Sequence, residues 1–153
     1  MSMENKTVAR RILEEAFGKG DLKVIDQCVA ASHVDHDPAH PPALPNGPAG
    51  IRMIVQLYRG AFPDLRMTIE DQLADGDRVV TRWTARGTHQ GNLNELAPTG
   101  RKVVVTGITI DRLIGGKIAE SWTTWDQAGM LQQVGALPRA RASDAGRTSQ
   151  PHA

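Results

Sequence analysis

Apolar residues recur at helical spacing in three stretches of the first half of the chain. Residues 7–17 form an amphipathic pattern and predict a helix that two glycines end. A second, shorter helix follows Asp21, with Leu22, Ile25 and Val29 on its apolar face. Residues 48–62 predict a third helix, which stops before Pro63 because proline disfavours helix continuation.

From Leu65 onward the apolar period changes from about three and a half to two, which is typical of strands. Alternating patterns cover residues 65–73, 78–89, 102–114 and 117–126, with a possible irregularity near residues 71–72. Tight turns are indicated at Asp75-Gly76-Asp77 and at Gly115-Gly116, so consecutive strands should pair antiparallel. Residues 127–134 predict a closing helix.

Three helices followed by a run of strands predict an α+β fold, with the helices packed on one face of the sheet. Gly87 and Gly107 are placed to bend the long strands, so the sheet should curve into a cone around a pocket. Residues 1–137 form one domain in this interpretation. Residues 138–153 offer almost nothing apolar to bury and predict a disordered tail.

The segment between the second and third helices is rich in proline and in titratable side chains. Its five prolines argue against regular helix or a central strand there. A stiff loop of this kind can form the rim of a site, which makes His36 and Asp37 candidates for substrate binding. Alternatively, the segment is an ordinary surface loop in which Asp37 fixes the turn before Pro38.

Composition limits the compartment and the partners. The formal net charge is +1 without a long basic run, which argues against nucleic acid as the main partner. No apolar run approaches a membrane span or the core of a signal peptide. The single cysteine, Cys28, excludes an intrachain disulfide and favours a reducing cytoplasm. The histidines near Cys28 lack standard zinc spacing, so no metal site is expected.

Asp126 lies where the last predicted strand meets the closing helix. Strand parity places Asp126 on one face with Trp122 and Glu120. A carboxyl group held in an apolar cavity has a raised pKa and can exchange protons with a ligand near neutral pH. The alternative is that Asp126 only caps the closing helix, since aspartate is a favoured N-cap residue.

Five sequence pieces together resemble the SnoaL-like polyketide cyclases, or ester cyclases, of the nuclear-transport-factor-2-like superfamily. The pieces are H-V-D-H-D-P, R-G-T-H-Q-G, P-T-G-R-K-V-V-V-T-G-I, G-G-K-I-A-E-S-W and W-D-Q-A-G-M-L-Q-Q-V-G, in the family's order. The resemblance runs from the first helix to about Gly135. It implies the cone-shaped fold and, less specifically, a small-molecule substrate, because this fold hosts many chemistries.

The resemblance implies an intramolecular aldol condensation that closes a ring without metal or organic cofactor. Such a reaction needs a general acid/base, polar groups that hold carbonyl oxygens, and an apolar pocket that folds the substrate. Asp126 matches the family's essential aspartate. The expected ligand is an apolar or polyketide-like molecule, and the expected assembly is a homodimer or homotetramer.

Further candidates come from the strands and the third helix. His89 shares a strand face with Trp83 and could donate to an enolate oxygen, or could simply be bonded to backbone at the strand end. Trp83, Trp122 and Tyr58 are candidate pocket walls, with ordinary core packing as the alternative.

Two other functions compete with a cyclase. One is a non-catalytic ligand-binding protein that uses the same cone. The other is an enzyme like the superfamily's epoxide hydrolases, which activate water with an Asp-Arg-Asp set. Arg82 and Arg112, with Asp35 or Asp37, would be the residues available for it.

Overall fold

The computed structural model describes residues 2–41 and 43–138, and it confirms the α+β fold. Most of the predicted tail, residues 139–153, lies outside the described residues. Helix α1 (Ser2–Arg11) continues directly into a π-helical segment (Ile12–Phe17). Helices α2 (Lys23–Cys28), α3 (Pro48–Ala61) and α4 (Gln127–Gln133) occupy three of the predicted helical stretches.

Five strands form one mixed sheet in the order β1-β5-β4-β3-β2. Their bounds are β1 (Val29–His36), β2 (Arg66–Asp75), β3 (Arg78–Thr88), β4 (Lys102–Ile114) and β5 (Lys117–Trp125). Strands β2 to β5 pair antiparallel in chain order, and the two predicted tight turns join β2 to β3 and β4 to β5. The pairing of β4 with β5 across the Gly115-Gly116 turn is confirmed. Strand β1 pairs parallel with β5.

Strand β1 is the element that the sequence pattern does not reveal. Val29 was expected on a helix face and the residues after Ser32 in a loop, yet residues 29–36 form an edge strand. The strand lacks apolar alternation because His33 and Asp35 occupy positions that face the interior at its polar end. Prolines begin only after His36, so the strand ends before them.

Two strands contain an extra residue that shifts their pairing. On β5, Arg112 is opposite Glu120 but Leu113 is opposite Ile118, so Ala119 has no partner of its own. A similar shift on β2, between Ile69 and Asp71, lies close to the predicted irregularity. Each β-bulge reverses which side chains face inward beyond it.

The helices cover one face of the sheet, and two buried clusters fill the space between them. The first joins α1, α2 and α3 to the inward side chains of Val79, Leu113 and Ile118. The second surrounds Trp83 and Phe62 at the other end of the sheet. The candidate site lies between these two clusters.

Candidate active site

A cavity of about 140 Å³ lies between the helices and the inner face of the sheet. Its walls come from α1 and its π-helical continuation, from α3, and from all five strands. Most lining side chains are apolar or aromatic, among them Ile12, Phe17, Ile54, Phe62, Met67, Trp83, Val105, Trp125 and Met130. The polar lining residues are mostly on β1, β4 and β5 and on the segment that follows β1: His33, Asp35, Asp37, His40, Thr109, Asp111, Ser121 and Thr123.

The first polar group is a chain of three buried side chains on adjacent strands. Ser121 donates from Oγ to Asp111 Oδ1 at 2.6 Å, and His33 Nε2 lies 2.9 Å from the same Ser121 Oγ. Because the serine hydroxyl carries one proton, His33 Nε2 donates to it in this arrangement. Burial lowers the pKa of His33, which keeps its imidazole neutral at neutral pH.

Asp111 is the most perturbed acid of the site. It is only 5% exposed, and burial raises its pKa to about 7. The hydrogen bond from Ser121 opposes that rise, while the charge of Asp35 adds to it. A carboxyl group that changes protonation near neutral pH, inside a cavity, has the property required of a general acid/base.

The second polar group is built around His40, which bridges two aspartates. His40 Nδ1 lies 2.5 Å from Asp35 Oδ2, and His40 Nε2 lies 3.2 Å from Asp37 Oδ2. Asp37 also accepts from the indole nitrogen of Trp125 at 2.9 Å and from the backbone nitrogen of Ala39 at 2.9 Å. The last contact is the predicted turn-fixing bond before the prolines, so Asp37 both fixes the turn and lines the cavity.

Tyr58 reaches the cavity from α3 and faces the two aspartates. Its ring meets Trp125 edge-on, with the ring centroids 5.8 Å apart. Burial, together with the negative charges of Asp37 and Asp35, raises the pKa of Tyr58 above its ordinary value. The phenol therefore stays protonated at neutral pH and is available as a hydrogen-bond donor.

Trp83 lines the cavity. Its indole nitrogen donates to Thr109 at 3.0 Å, and Thr109 lies 3.1 Å from the hydroxyl of Thr123. The ring lies against Gly107, where an added Cβ would approach Trp83 to 2.3 Å. Glycine at this position therefore lets the indole lie across β4.

Asp126 lies outside the cavity. The bulge at Ala119 turns Ser121, Thr123 and Trp125 inward, so the predicted inward parity is reversed at this end of β5. The carboxylate of Asp126 is exposed and accepts a hydrogen bond from the backbone nitrogen of Gly129 at 2.8 Å. This geometry is that of the helix cap, which the sequence left open as the alternative.

The same reversal places Trp122 on the outer face of the sheet, where it meets His36 of the adjacent strand β1. Their rings stack with centroids 5.2 Å apart, and His36 Nε2 contacts Glu120 at 2.7 Å. Arg78 lies over the Trp122 ring, and Arg112 pairs with Glu120 at 3.1 Å. These contacts make an outer cluster that is separate from the cavity.

His89 is fully buried but does not line the cavity. Nδ1 of His89 lies 3.1 Å from the hydroxyl of Thr99 and accepts a hydrogen bond from the backbone nitrogen of Thr99 at 3.2 Å. The ring packs against Phe62. These contacts resemble the structural alternative, in which the histidine is bonded to backbone at the strand end and holds the following loop.

Asp111 is the candidate that sequence reasoning missed despite a signal. It occupies an inward position of β4, on the same face as Val105, Thr109 and Leu113. Carboxylates are seldom buried at such positions, so its presence there is a signal of function. His33, His40 and Ser121 were recognisable only once β1 was known to lie beside β5. Neither Arg82 nor Arg112 reaches the cavity, and the described lining residues include no arginine for an Asp-Arg-Asp set.

Within residues 2–41 and 43–138, no group of three or more His, Cys, Asp or Glu side chains is arranged to hold a metal ion. No helix in the same part of the chain is long and apolar enough to cross a membrane.

Comparisons with known proteins agree with this architecture. The structure of TsrD from Streptomyces laurentii has 27% sequence identity and a TM-score of 0.80, covering 90% of this chain and 98% of that one. Wild-type IdmH from Streptomyces antibioticus has 34% identity and a TM-score of 0.74, covering 86% and 98%. AclR from Streptomyces galilaeus, at 24% identity, 97% and 92% coverage and a TM-score of 0.82, supports the fold alone.

The comparison with curated proteins found no match. The family model described as SnoaL-like polyketide cyclase matches residues 7–134, which is most of the chain and includes every described lining residue of the cavity. The chain therefore belongs to the SnoaL-like polyketide cyclase family.

Proposed function

We propose that this chain is a small-molecule enzyme that closes a ring by aldol-type acid/base chemistry in the cavity, with Asp111 as the general acid/base. The observation that carries the proposal is a 5% exposed carboxyl group that lines an apolar cavity and has a pKa of about 7. Family membership supports a cyclase-type reaction on a small molecule.

In the proposed reaction Asp111 takes one proton from the substrate and later returns it. Ionised Asp111 takes the proton from a carbon next to a carbonyl, and the resulting enolate carbon bonds to a second carbonyl carbon of the same molecule. The new alkoxide then takes the proton from Asp111, so the carboxylate is regenerated. Neither step requires an oxidant, a reductant or a further reactant.

The neighbouring groups hold the reactants. Tyr58 is placed to donate to the enolate oxygen as negative charge develops there. Ser121, itself held by His33, fixes one oxygen of Asp111, which leaves the other oxygen for the substrate. The apolar walls around Trp83 and Phe62 exclude water and bend the chain of the substrate toward itself.

The experiment uses a linear diketone whose carbonyls can close a six-membered ring. Incubation in deuterium oxide, followed by NMR, measures both deuterium uptake beside the carbonyls and ring closure. Asp111→Asn keeps the shape but cannot accept the proton, so both rates should fall by roughly two to four orders of magnitude.

The matched control is Asp71→Asn, which removes a carboxylate whose side chain is 66% exposed on β2. Its rates should equal those of the unmodified protein. Equal rates in Asp111→Asn and the unmodified protein would contradict the proposal and favour a non-catalytic ligand-binding protein.

A further inference from the structure

The ionisable groups of the cavity carry more negative than positive charge. Three carboxylates, those of Asp35, Asp37 and Asp111, line it together with His33 and His40. The described lining residues include no lysine or arginine. His40 is the lining histidine that contacts Asp35 and Asp37.

His40 offsets one of two carboxylates at most, because it lies between Asp35 and Asp37. Both oxygens of Asp37 already accept hydrogen bonds, one from Ala39 and the other from Trp125. Asp35 uses Oδ2 for His40, and its Oδ1 accepts no hydrogen bond from the described residues. The uncompensated charge of this pair is therefore available to a ligand at Asp35.

Asp35 lies largely out of contact with water. Its side chain is only 10% exposed and lines the cavity, so solvent reaches it poorly. A carboxylate that is largely removed from water has lost part of the hydration that it had in the unfolded chain, and a ligand that supplies a donor recovers it. The charge of Asp35 also raises the pKa of Asp111, which is direct repulsion between two acids of one cavity.

Aromatic rings border the same end of the cavity. Tyr58 and Trp125 meet edge to face beside Asp37, and Tyr58 lies 6.3 Å from the His40 ring, centroid to centroid. Aromatic walls beside a carboxylate are the surroundings in which proteins bind organic ammonium groups. The negative charges of Asp35 and Asp37 would repel a carboxylate ligand there.

We infer that the cavity takes a ligand that carries a protonated amine, and that the amine binds Asp35 Oδ1 while its ring or alkyl part lies against the aromatic walls. This inference rests on the proposed use of the cavity as the substrate site. A cavity of about 140 Å³ is close to the roughly 150 Å³ that holds a benzene-sized molecule, so the ligand part inside is the size of a single ring.

The test measures binding by calorimetry with three probes of one scaffold: phenethylamine, phenethyl alcohol and hydrocinnamate. At mildly alkaline pH the amine should bind at least about tenfold more tightly than the alcohol, and the carboxylate should bind most weakly. In Asp35→Asn the amine and the alcohol should bind with similar affinity. Asp71→Asn should keep the preference, because its carboxylate is on the surface.

Several results would overturn the inference: equal affinity for the amine and the alcohol, tighter binding of the carboxylate, no binding of any probe, or an unchanged preference in Asp35→Asn. If that variant does not fold, the ranking of the three probes on the unmodified protein decides. Proton exchange in Asp111→Asn judges the proposed function separately, so either proposal can fail without the other.

Discussion

At the scale of single residues, Asp111 shows how the site and the stability of the protein are linked. The fold holds this carboxyl group among apolar strands with one strong donor, Ser121. One hydrogen bond recovers only part of the hydration that a carboxylate loses on burial, so the folded state favours the protonated form. The property that suits Asp111 for proton transfer therefore costs stability whenever the group is ionised.

The pH dependence of unfolding should reveal this cost. Folded Asp111 keeps its proton up to about pH 7, whereas in the unfolded chain it loses it near 3.8. Between these values the folded state binds more protons, so the free energy of unfolding falls as pH rises. The loss is on the order of 4 kcal/mol when the pH has passed 7.

Denaturant unfolding of the unmodified protein and of Asp111→Asn at about pH 5 and about pH 8 measures this loss. The unmodified protein should lose roughly 2–3 kcal/mol more than the variant over that range, because asparagine does not ionise. The same pH dependence in both proteins would show that the buried carboxyl group does not control it.

The sequence pattern predicts the facing of a side chain where its strand or helix continues without interruption. Tyr58 and Trp83 line the cavity because their elements keep the predicted period throughout. Trp122 and Asp126 do not, because Ala119 adds one residue to the strand before them. A single inserted residue moves every later side chain to the other face, and alanine gives no sign of it in the sequence.

At the scale of elements, β4 supplies side chains to both the core and the cavity. Its inward positions alternate strictly, from Val103 and Val105 through Thr109 to Asp111 and Leu113. Gly107 interrupts this series because the Trp83 ring needs the space that a side chain would fill. A larger residue would have to displace the indole from its hydrogen bond to Thr109.

Gly107→Ala should therefore lower the free energy of unfolding by about 1–3 kcal/mol, the usual cost of overpacking a core. Thermal unfolding measures it, and the tryptophan fluorescence should change because Trp83 moves. Gly60→Ala is the matched control: an added Cβ meets nothing within 4 Å, and alanine in helix α3 should stabilise by roughly 0.5–1 kcal/mol. A Gly107→Ala variant as stable as the unmodified protein would mean that the indole has room to shift.

The edge strand β1 explains why the helices and the long hairpins were predictable and part of the site was not. Long elements with a regular apolar period identify themselves. Strand β1 is short, its inward end carries His33 and Asp35, and its parallel pairing with β5 joins residues almost 90 positions apart. Nothing local in the sequence indicates such a long-range pairing.

At the scale of the whole molecule, the helices and the outer face of the sheet have different surfaces. The helices bury their apolar stripes on the inner face, where the cavity lies. The outer side of β4 instead leaves three large apolar side chains exposed, Val104, Ile108 and Ile114, at 50%, 46% and 62%. A row of exposed apolar residues on a sheet marks a surface that another protein can cover.

A second copy of this chain is the expected occupant, since the family resemblance implies a homodimer or homotetramer. If two copies meet on this face, Ile108→Lys places a charge in the contact and should convert the assembly to monomers. Light scattering after size-exclusion chromatography gives the mass directly. Met53→Lys is the matched control, because Met53 is 52% exposed but lies on helix α3. The unmodified protein and this control should both have the mass of a dimer or tetramer, whereas Ile108→Lys should have half or a quarter of it. A monomeric unmodified protein, or an assembly unaffected by Ile108→Lys, would mean that copies of this chain do not pair through the outer face of β4.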